Sequence, residues 1–196
     1  GQGDTEPLGS DERGDAMPWV NLGSDFGPAP DQATIASVAL GHRSSCALAP
    51  NGAVKCWGYG AYGLGSGSDD LGAQPGQMGD ALPAVPLGRP ARSLFPGGFH
   101  FCAVLDDDSV MCWGRNDAGQ LGVEATDDRG DEPEALSPAI LGAAAVDGGG
   151  DELATCVLDR EGAIWCWGGG ALGFGLGDAP GEMAALTPTR LPQPPP

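Results

Sequence analysis

Positive charge is scarce in this sequence. Nine Lys and Arg stand against 27 Asp and Glu in 196 residues, for a formal net charge of −18 and a pI near 4.1. Affinity for nucleic acid comes from Lys and Arg neutralising phosphates and releasing counterions, so no nucleic-acid partner is expected. Docking on anionic lipid is disfavoured for the same reason. Long apolar runs are missing too. None approaches the ~18 residues of a bilayer-spanning helix, so membrane insertion is not expected. Histidine is limited to His42 and His100, and the cysteine spacing is not the Cys-x2-4-Cys of a zinc site. Metals and other cofactors are therefore not expected. No segment carries a helical apolar stripe; the Ala-rich stretch 141–146 is short and ends in Gly148-Gly149-Gly150. The chain opens on Gly1 rather than Met and is expected to be a processed form or a fragment.

What the chain has in quantity is glycine (35) and proline (18), beside 41% hydrophobic residues, five Trp and six Cys. Turn-rich composition with few long periodic stretches is what many short strands require. Three segments then superpose: Cys46-Ala-Leu-Ala-Pro-Asn-Gly-Ala-Val-Lys-Cys56-Trp-Gly58, Cys102-Ala-Val-Leu-Asp-Asp-Asp-Ser-Val-Met-Cys112-Trp-Gly114, and Cys156-Val-Leu-Asp-Arg-Glu-Gly-Ala-Ile-Trp-Cys166-Trp-Gly168. Their pitch is 56 and then 54 residues, a regular internal repeat. Each reads as a β-hairpin, with Asn51-Gly52 and Glu161-Gly162 supplying the positive φ of a tight turn. With Asn51 at the apex, Ala49 pairs with Ala53, Leu48 with Val54 and Cys46 with Cys56. Cys46, Leu48, Val54 and Cys56 then share one face, and Trp57 turns to the other.

After each hairpin come a Gly-rich turn, an acidic loop and a Pro-bounded strand ending in Leu-Gly, such as Pro83-Ala-Val-Pro-Leu-Gly88 and Pro138-Ala-Ile-Leu-Gly142. The N-terminal Pro18-Trp-Val-Asn-Leu-Gly23 matches that last strand, and 185–191 looks strand-like. A further apolar strand precedes each hairpin, at 34–40, 91–95 and 143–146. Four short strands per unit make one propeller blade. The repeats run at about 16–62, 80–122 and 136–177, within a single domain 1–192 followed by a Pro-rich tail 193–196. The fold class is all-β, a partial β-propeller of about three and a half four-stranded blades.

These residues resemble the regulator-of-chromosome-condensation repeat, a β-propeller family. The middle unit fits best, through Gly97, His100, Ala103, Trp113, Gly114, Asn116 and Gly119-Gln-Leu-Gly122. The first unit has Ser44 in place of the His, and the third has Ala154. Family members close rings of about seven blades, so the resemblance implies completion by a second chain, a larger parent or local capping of the end blades. A homo-oligomer that completes the ring is one expected partner. The name-giving members exchange nucleotide on a GTPase, and another branch resembling this architecture inhibits β-lactamase outside the cell. The charge runs against a nuclear, DNA-facing role, and a Cys-containing bacterial secreted variety is the nearer expectation.

The hairpin register points to disulfides Cys46–Cys56, Cys102–Cys112 and Cys156–Cys166, since directly opposed strand positions lie within disulfide reach. Buried free thiols are the alternative. Disulfides imply an extracellular, periplasmic or cell-surface location. Catalysis finds little support. His100 occupies the repeat's own His position, which fits structural hydrogen bonding, and His42 reads as a loop residue. The acidic pairs Asp11-Glu12, Asp69-Asp70 and Asp127-Asp128 lack the order of a calcium loop; they read as a solvated rim or a face that steers a basic partner. Arg13-Gly14-Asp15 and Arg129-Gly130-Asp131 spell an adhesion tripeptide, but repeat equivalence accounts for their recurrence. Trp57, Trp113 and Trp167 fit inter-blade packing, whereas Trp19 and Trp165 break the repeat and are the candidate exposed anchors. Contacts with a protein partner are expected from Tyr59, Tyr62, Arg115 and Asn116, in the loops after the Trp-Gly strands. The function expected is non-enzymatic protein binding, with self-assembly into rings or filaments as the alternative.

Overall fold

The computed structural model describes residues 19–29, 32–131, 136–169 and 176–190. Among the described residues, ten strands make three antiparallel sheets. The first sheet holds β1 (Ser37–Leu40), β2 (Ser44–Leu48) and β3 (Val54–Gly58), and the second β4 (Ala91–Pro96), β5 (His100–Leu105) and β6 (Val110–Gly114). The third holds β7 (Ala145–Gly150), β8 (Ala154–Asp159), β9 (Ala163–Gly168) and β10 (Thr189–Arg190). The first strands β1, β4 and β7 contact one another from sheet to sheet, which places them at the axis. The architecture is an all-β partial propeller.

Each hairpin has the register that its turn dictates: Cys46 faces Cys56, Cys102 faces Cys112, and Cys156 faces Cys166. All three pairs are disulfides, with Cα atoms 4.1 Å apart. Gly52 (φ 87°) and Gly162 (φ 78°) provide the left-handed turn residue. The middle turn has no glycine, and Asp108 adopts φ 70° instead; Asp is among the few side chains that tolerate this region.

Alternation divides each sheet into two faces. Ala39, Cys46, Leu48 and Val54 of the first sheet pack against Leu94, Phe101, Met111 and Trp113 of the second. Phe95, Cys102, Val104 and Val110 of the second pack against Ala145, Val157 and Trp167 of the third. Trp113 and Trp167 are both 0% exposed, each wedged between neighbouring sheets, while Trp57 is only half-buried. Across the second seam, His100 Nε2 lies 2.8 Å from Thr155 Oγ1, whose hydroxyl donates to the Gln120 carbonyl at 2.7 Å. Since Thr155 has one proton and gives it to Gln120, Nε2 of His100 is the donor in that pair.

Three expectations are corrected. The inner strand of the third sheet lies later than 143–146 and runs through Gly148, Gly149 and Gly150. Packing demands those small residues: a Cβ on Gly148 would stand 2.6 Å from Phe95 Cζ, and one on Gly150 would stand 3.1 Å from His100 Nε2. The outer strands are thinner than four per blade implies. In the first two sheets they reduce to single bridges, Lys55 to Ala84 and Met111 to Pro138, because the prolines there donate no backbone hydrogen bond. Finally, the segment at 19–23 forms no strand. It leads into a 3-10 turn, Ser24–Phe26, fixed by Asp80 Oδ1, which accepts from the Ser24 amide (2.7 Å) and hydroxyl (2.9 Å). Leu22 and Phe26 thereby cover Ala47 and Ala49 of the first sheet. The acidic pair at 11–12 and the tripeptide at 13–15 lie outside the described residues.

Candidate protein-binding face

At one end of the blades the β1–β2, β4–β5 and β7–β8 turns meet the loops that follow β3 and β6. Backbone bonds tie these turns together: His42 N donates to Gly98 O, and Gly98 N donates to Asp151 O, both at 2.8 Å. The side chains above them form a ladder. The Arg43 guanidinium lies 4.3 Å above the Tyr59 ring. Tyr59 meets Tyr62 edge-on at 6.2 Å, Tyr62 meets Phe99 at 5.2 Å, and Phe99 meets His42 at 4.7 Å. Arg115 closes the row, 5.7 Å from Tyr62 and 6.0 Å from Phe99.

Arg115 is fixed from two sides, by Asp117 at 2.6 Å and by Glu152 of the third blade at 3.3 Å. The Asp117 hydrogen bond holds its guanidinium above the ordinary value, so its charge is permanent. All three blades thus contribute to one surface. The rings are half-buried and His42 and Arg43 exposed, which leaves aromatic area open to a partner.

Tyr59, Tyr62 and Arg115 come together as the loop positions suggested, but Asn116 does not join them. It is fully buried. Its Nδ2 donates to the Ala125 and Asp127 carbonyls at 2.7 and 3.0 Å, and its Oδ1 accepts from Leu121 N at 2.9 Å. Asn116 therefore shapes the loop and offers no surface contact. Its amide donates to Asp128 Oδ1 at 2.8 Å, and burial raises that carboxyl despite the amide's opposing effect. In the first blade Asp70 Oδ1 accepts from Gly60 N at 2.8 Å in the same way. The acidic pairs at 69–70 and 127–128 thus each spend one carboxylate on the loop.

The candidate anchors stand apart from the ladder. Trp19 is 70% exposed. Trp165 is half-buried, with Nε1 donating to Asp159 Oδ2 at 2.8 Å, and floors an outer groove with Ile140, Leu141, Met183 and Leu186. Of the Arg-Gly-Asp stretch at 129–131, Gly130 packs so tightly that a Cβ would stand 2.5 Å from Gly65 Cα. Among the described residues no group of three or more His, Cys, Asp or Glu is placed to hold a metal. Nor is any helix there long and apolar enough to cross a membrane. Residues His42, Arg43, Phe99 and Glu152 were missed in the sequence because the turn joining the first two strands of a blade carries no motif; only its fixed spacing before each Cys could have located it.

Comparison with known proteins agrees with this architecture. The regulator of chromosome condensation (RCC1) repeat matches residues 35–64 and 97–120, the two stretches that hold most of the ladder. The human probable E3 ubiquitin-protein ligase HERC4 is 32% identical over 140 residues, covering 71% of this chain and 13% of HERC4. Human WBSCR16 superposes with a TM-score of 0.57 at 23% identity, over 70% of this chain and 33% of that structure. Saccharomyces cerevisiae Prp20p superposes with a TM-score of 0.52 at 20% identity, over 76% and 36%. The chain therefore spans a small part of the relatives it matches. Two stretches of the chain are thus similar to the RCC1 repeat, and the chain folds as part of a β-propeller.

Proposed function

We propose that this chain is a non-enzymatic, extracytoplasmic protein-binding module whose partner meets the loop face of Arg43, Tyr59, Tyr62, Phe99 and Arg115. The observation that carries this reading is the aromatic and guanidinium ladder itself, five side chains from two blades locked in mutual contact on an open surface. Rigid aromatics and arginines dominate binding energy at protein interfaces. Prp20p, which shares the fold, is described by its binding to Gsp1p and histones. The ligase activity in the name of HERC4 belongs to a protein of which this chain matches 13%. Three disulfides support an oxidising compartment. Panning a displayed random-peptide library tests the face. Selected peptides should bind the parent and lose binding to the Tyr62→Ala/Phe99→Ala variant; binding indifferent to those rings would refute it. Protein from its own cells should take up no alkylating reagent before reduction, whereas six labelled thiols would refute the compartment.

A second reading, self-assembly, is favoured by apolar side chains at the two outer blade faces. Leu40 is 67% and Leu158 41% exposed, although Val104, the match of Leu158 in the second blade, is buried. Native mass that rises with concentration, without any other partner, is the expected outcome of that reading.

A further inference from the structure

The two ends of the blades differ in charge. At the end bearing the β2–β3, β5–β6 and β8–β9 turns, the three aspartates of the β5–β6 turn are all ion-paired. Arg89 donates to Asp106 at 2.7 Å and lies 3.1 Å from Asp107. Arg92 and Arg160 converge on Asp108, and Arg190 donates to the Glu161 carbonyl. The ladder end carries an excess of carboxylates. There Arg43, Arg115 and Arg129 stand among Asp69, Asp70, Asp117, Asp131, Asp151 and Glu152, five of these six acids exposed. The acids sit directly beside the ladder loops. A Cβ on Gly60 would meet the Asp69 carbonyl at 2.2 Å, and one on Gly63 would meet Asp131 N at 2.5 Å. Arg115 is already neutralised by Asp117 and Glu152. Arg43 stacks on Tyr59 with no carboxylate in salt-bridge range among the described residues.

We propose that this face receives a basic protein segment, an exposed loop or strand bearing Lys or Arg, whose cations settle between the ladder's rings and the surrounding carboxylates. The inference rests on the reading of this face as a protein-binding surface and names its partner's chemistry. Aromatic faces attract cations, and the surrounding carboxylates add attraction of the same sign. Complementary charge of this kind raises the encounter rate and rejects like-charged competitors. An acidic segment would have to approach a face on which carboxylates outnumber guanidiniums.

Short fluorescein-labelled peptides test it by anisotropy: one of alternating Lys/Arg and Gly, one of Asp/Glu and Gly, one of Ser and Gly. Only the basic peptide should bind, more weakly at about 150 mM salt than in dilute buffer. Two variants each remove two negative charges, Asp69→Asn/Glu152→Gln at the ladder and Asp106→Asn/Asp107→Asn at the opposite end. The first should weaken binding up to about tenfold and the second less than about twofold. Equal losses would mean that the peptide senses only the overall field, and the proposal falls. It falls also if the basic peptide does not bind or the acidic one binds tighter. Should library-selected peptides depend on Tyr62 and Phe99 yet carry no excess of Lys and Arg, the binding face stands and the basic partner is wrong. Should no selected peptide depend on those rings, the binding face itself is wrong.

Discussion

An imidazole that is 1% exposed and points its one proton at Thr155 has no place for a second. Burial lowers the pKa of His100 from 6.5 to about 4, with the charge of Asp151 opposing it. In the unfolded chain the same ring takes up a proton below its ordinary value. Between pH 6.5 and 4 the unfolded state therefore binds more protons, and stability falls as pH falls through that window. The contribution is complete above pH 6.5, lost by pH 4, and about 3 kcal/mol in all. Urea titrations at pH 7.5 and 4.5 on the parent and on His100→Gln check this, since the variant should lose that part of the pH dependence. Equal slopes would sink it. Lys55, the only lysine of the chain, makes the opposite bargain with burial. Its amine keeps hydrogen bonds to the Leu22 and Gly79 carbonyls at 2.9 and 3.2 Å and an ion pair with Asp25 at 3.5 Å. Lys55→Met puts there the residue that the second blade uses at Met111, but strands both carbonyls. A loss of about 1–3 kcal/mol is expected, read from the urea midpoint; an unchanged midpoint would show that water replaces the amine.

At the scale of the element, the Cys-bridged hairpin is the unit that repeats, and its three copies are not equally protected. Cys46, Cys56, Cys102 and Cys112 are buried between sheets, whereas Cys156 and Cys166 are half-buried on an outer face. Thiol exchange needs access to sulfur. Mild reduction of native protein should therefore open Cys156–Cys166 first, with the other two opening on global unfolding. Timed alkylation and peptide mapping give the order, and simultaneous opening would refute it. Each bridge closes a short loop and contributes about 2–3 kcal/mol by the chain-entropy account. The hairpins were legible in the sequence because turn residue, alternation and cysteine spacing all fix one register. The inner strand of the third blade was not. Gly148, Gly149 and Gly150 look like a strand terminus until Phe95 and His100 of the neighbouring blade are seen to need the space. Local propensity carries no record of what the next sheet presses against it.

For the whole molecule, the same limit applies to the site. Tyr59, Tyr62 and Arg115 could be placed in loops from the repeat alone, but what joins them, Phe99, comes from the turn of the next blade. Likewise Asn116 reads as a polar loop residue, and only the folded loop shows its side chain turned inward. Charge is the property most fully visible from composition, and it acts at this scale. A net charge of −18 repels itself in the compact state, and the ladder end concentrates that repulsion while the opposite end is paired. Salt screens exposed like charges, so raising NaCl from dilute buffer to about 200 mM should stabilise the fold, by about 2–4 °C in Tm for each kcal/mol gained. The paired end opposes this gain only in part, because screening weakens its surface ion pairs, each worth about 0–1 kcal/mol. The sign of the shift decides which end dominates. If the excess of carboxylates at the ladder end dominates, Asp69→Asn/Glu152→Gln, which leaves Arg115 its Asp117 pair, raises Tm in dilute buffer and shrinks the gain from salt. A Tm that falls with salt would mean that the Arg89, Arg92 and Arg160 pairs hold the blades together more strongly than the ladder's acids push them apart.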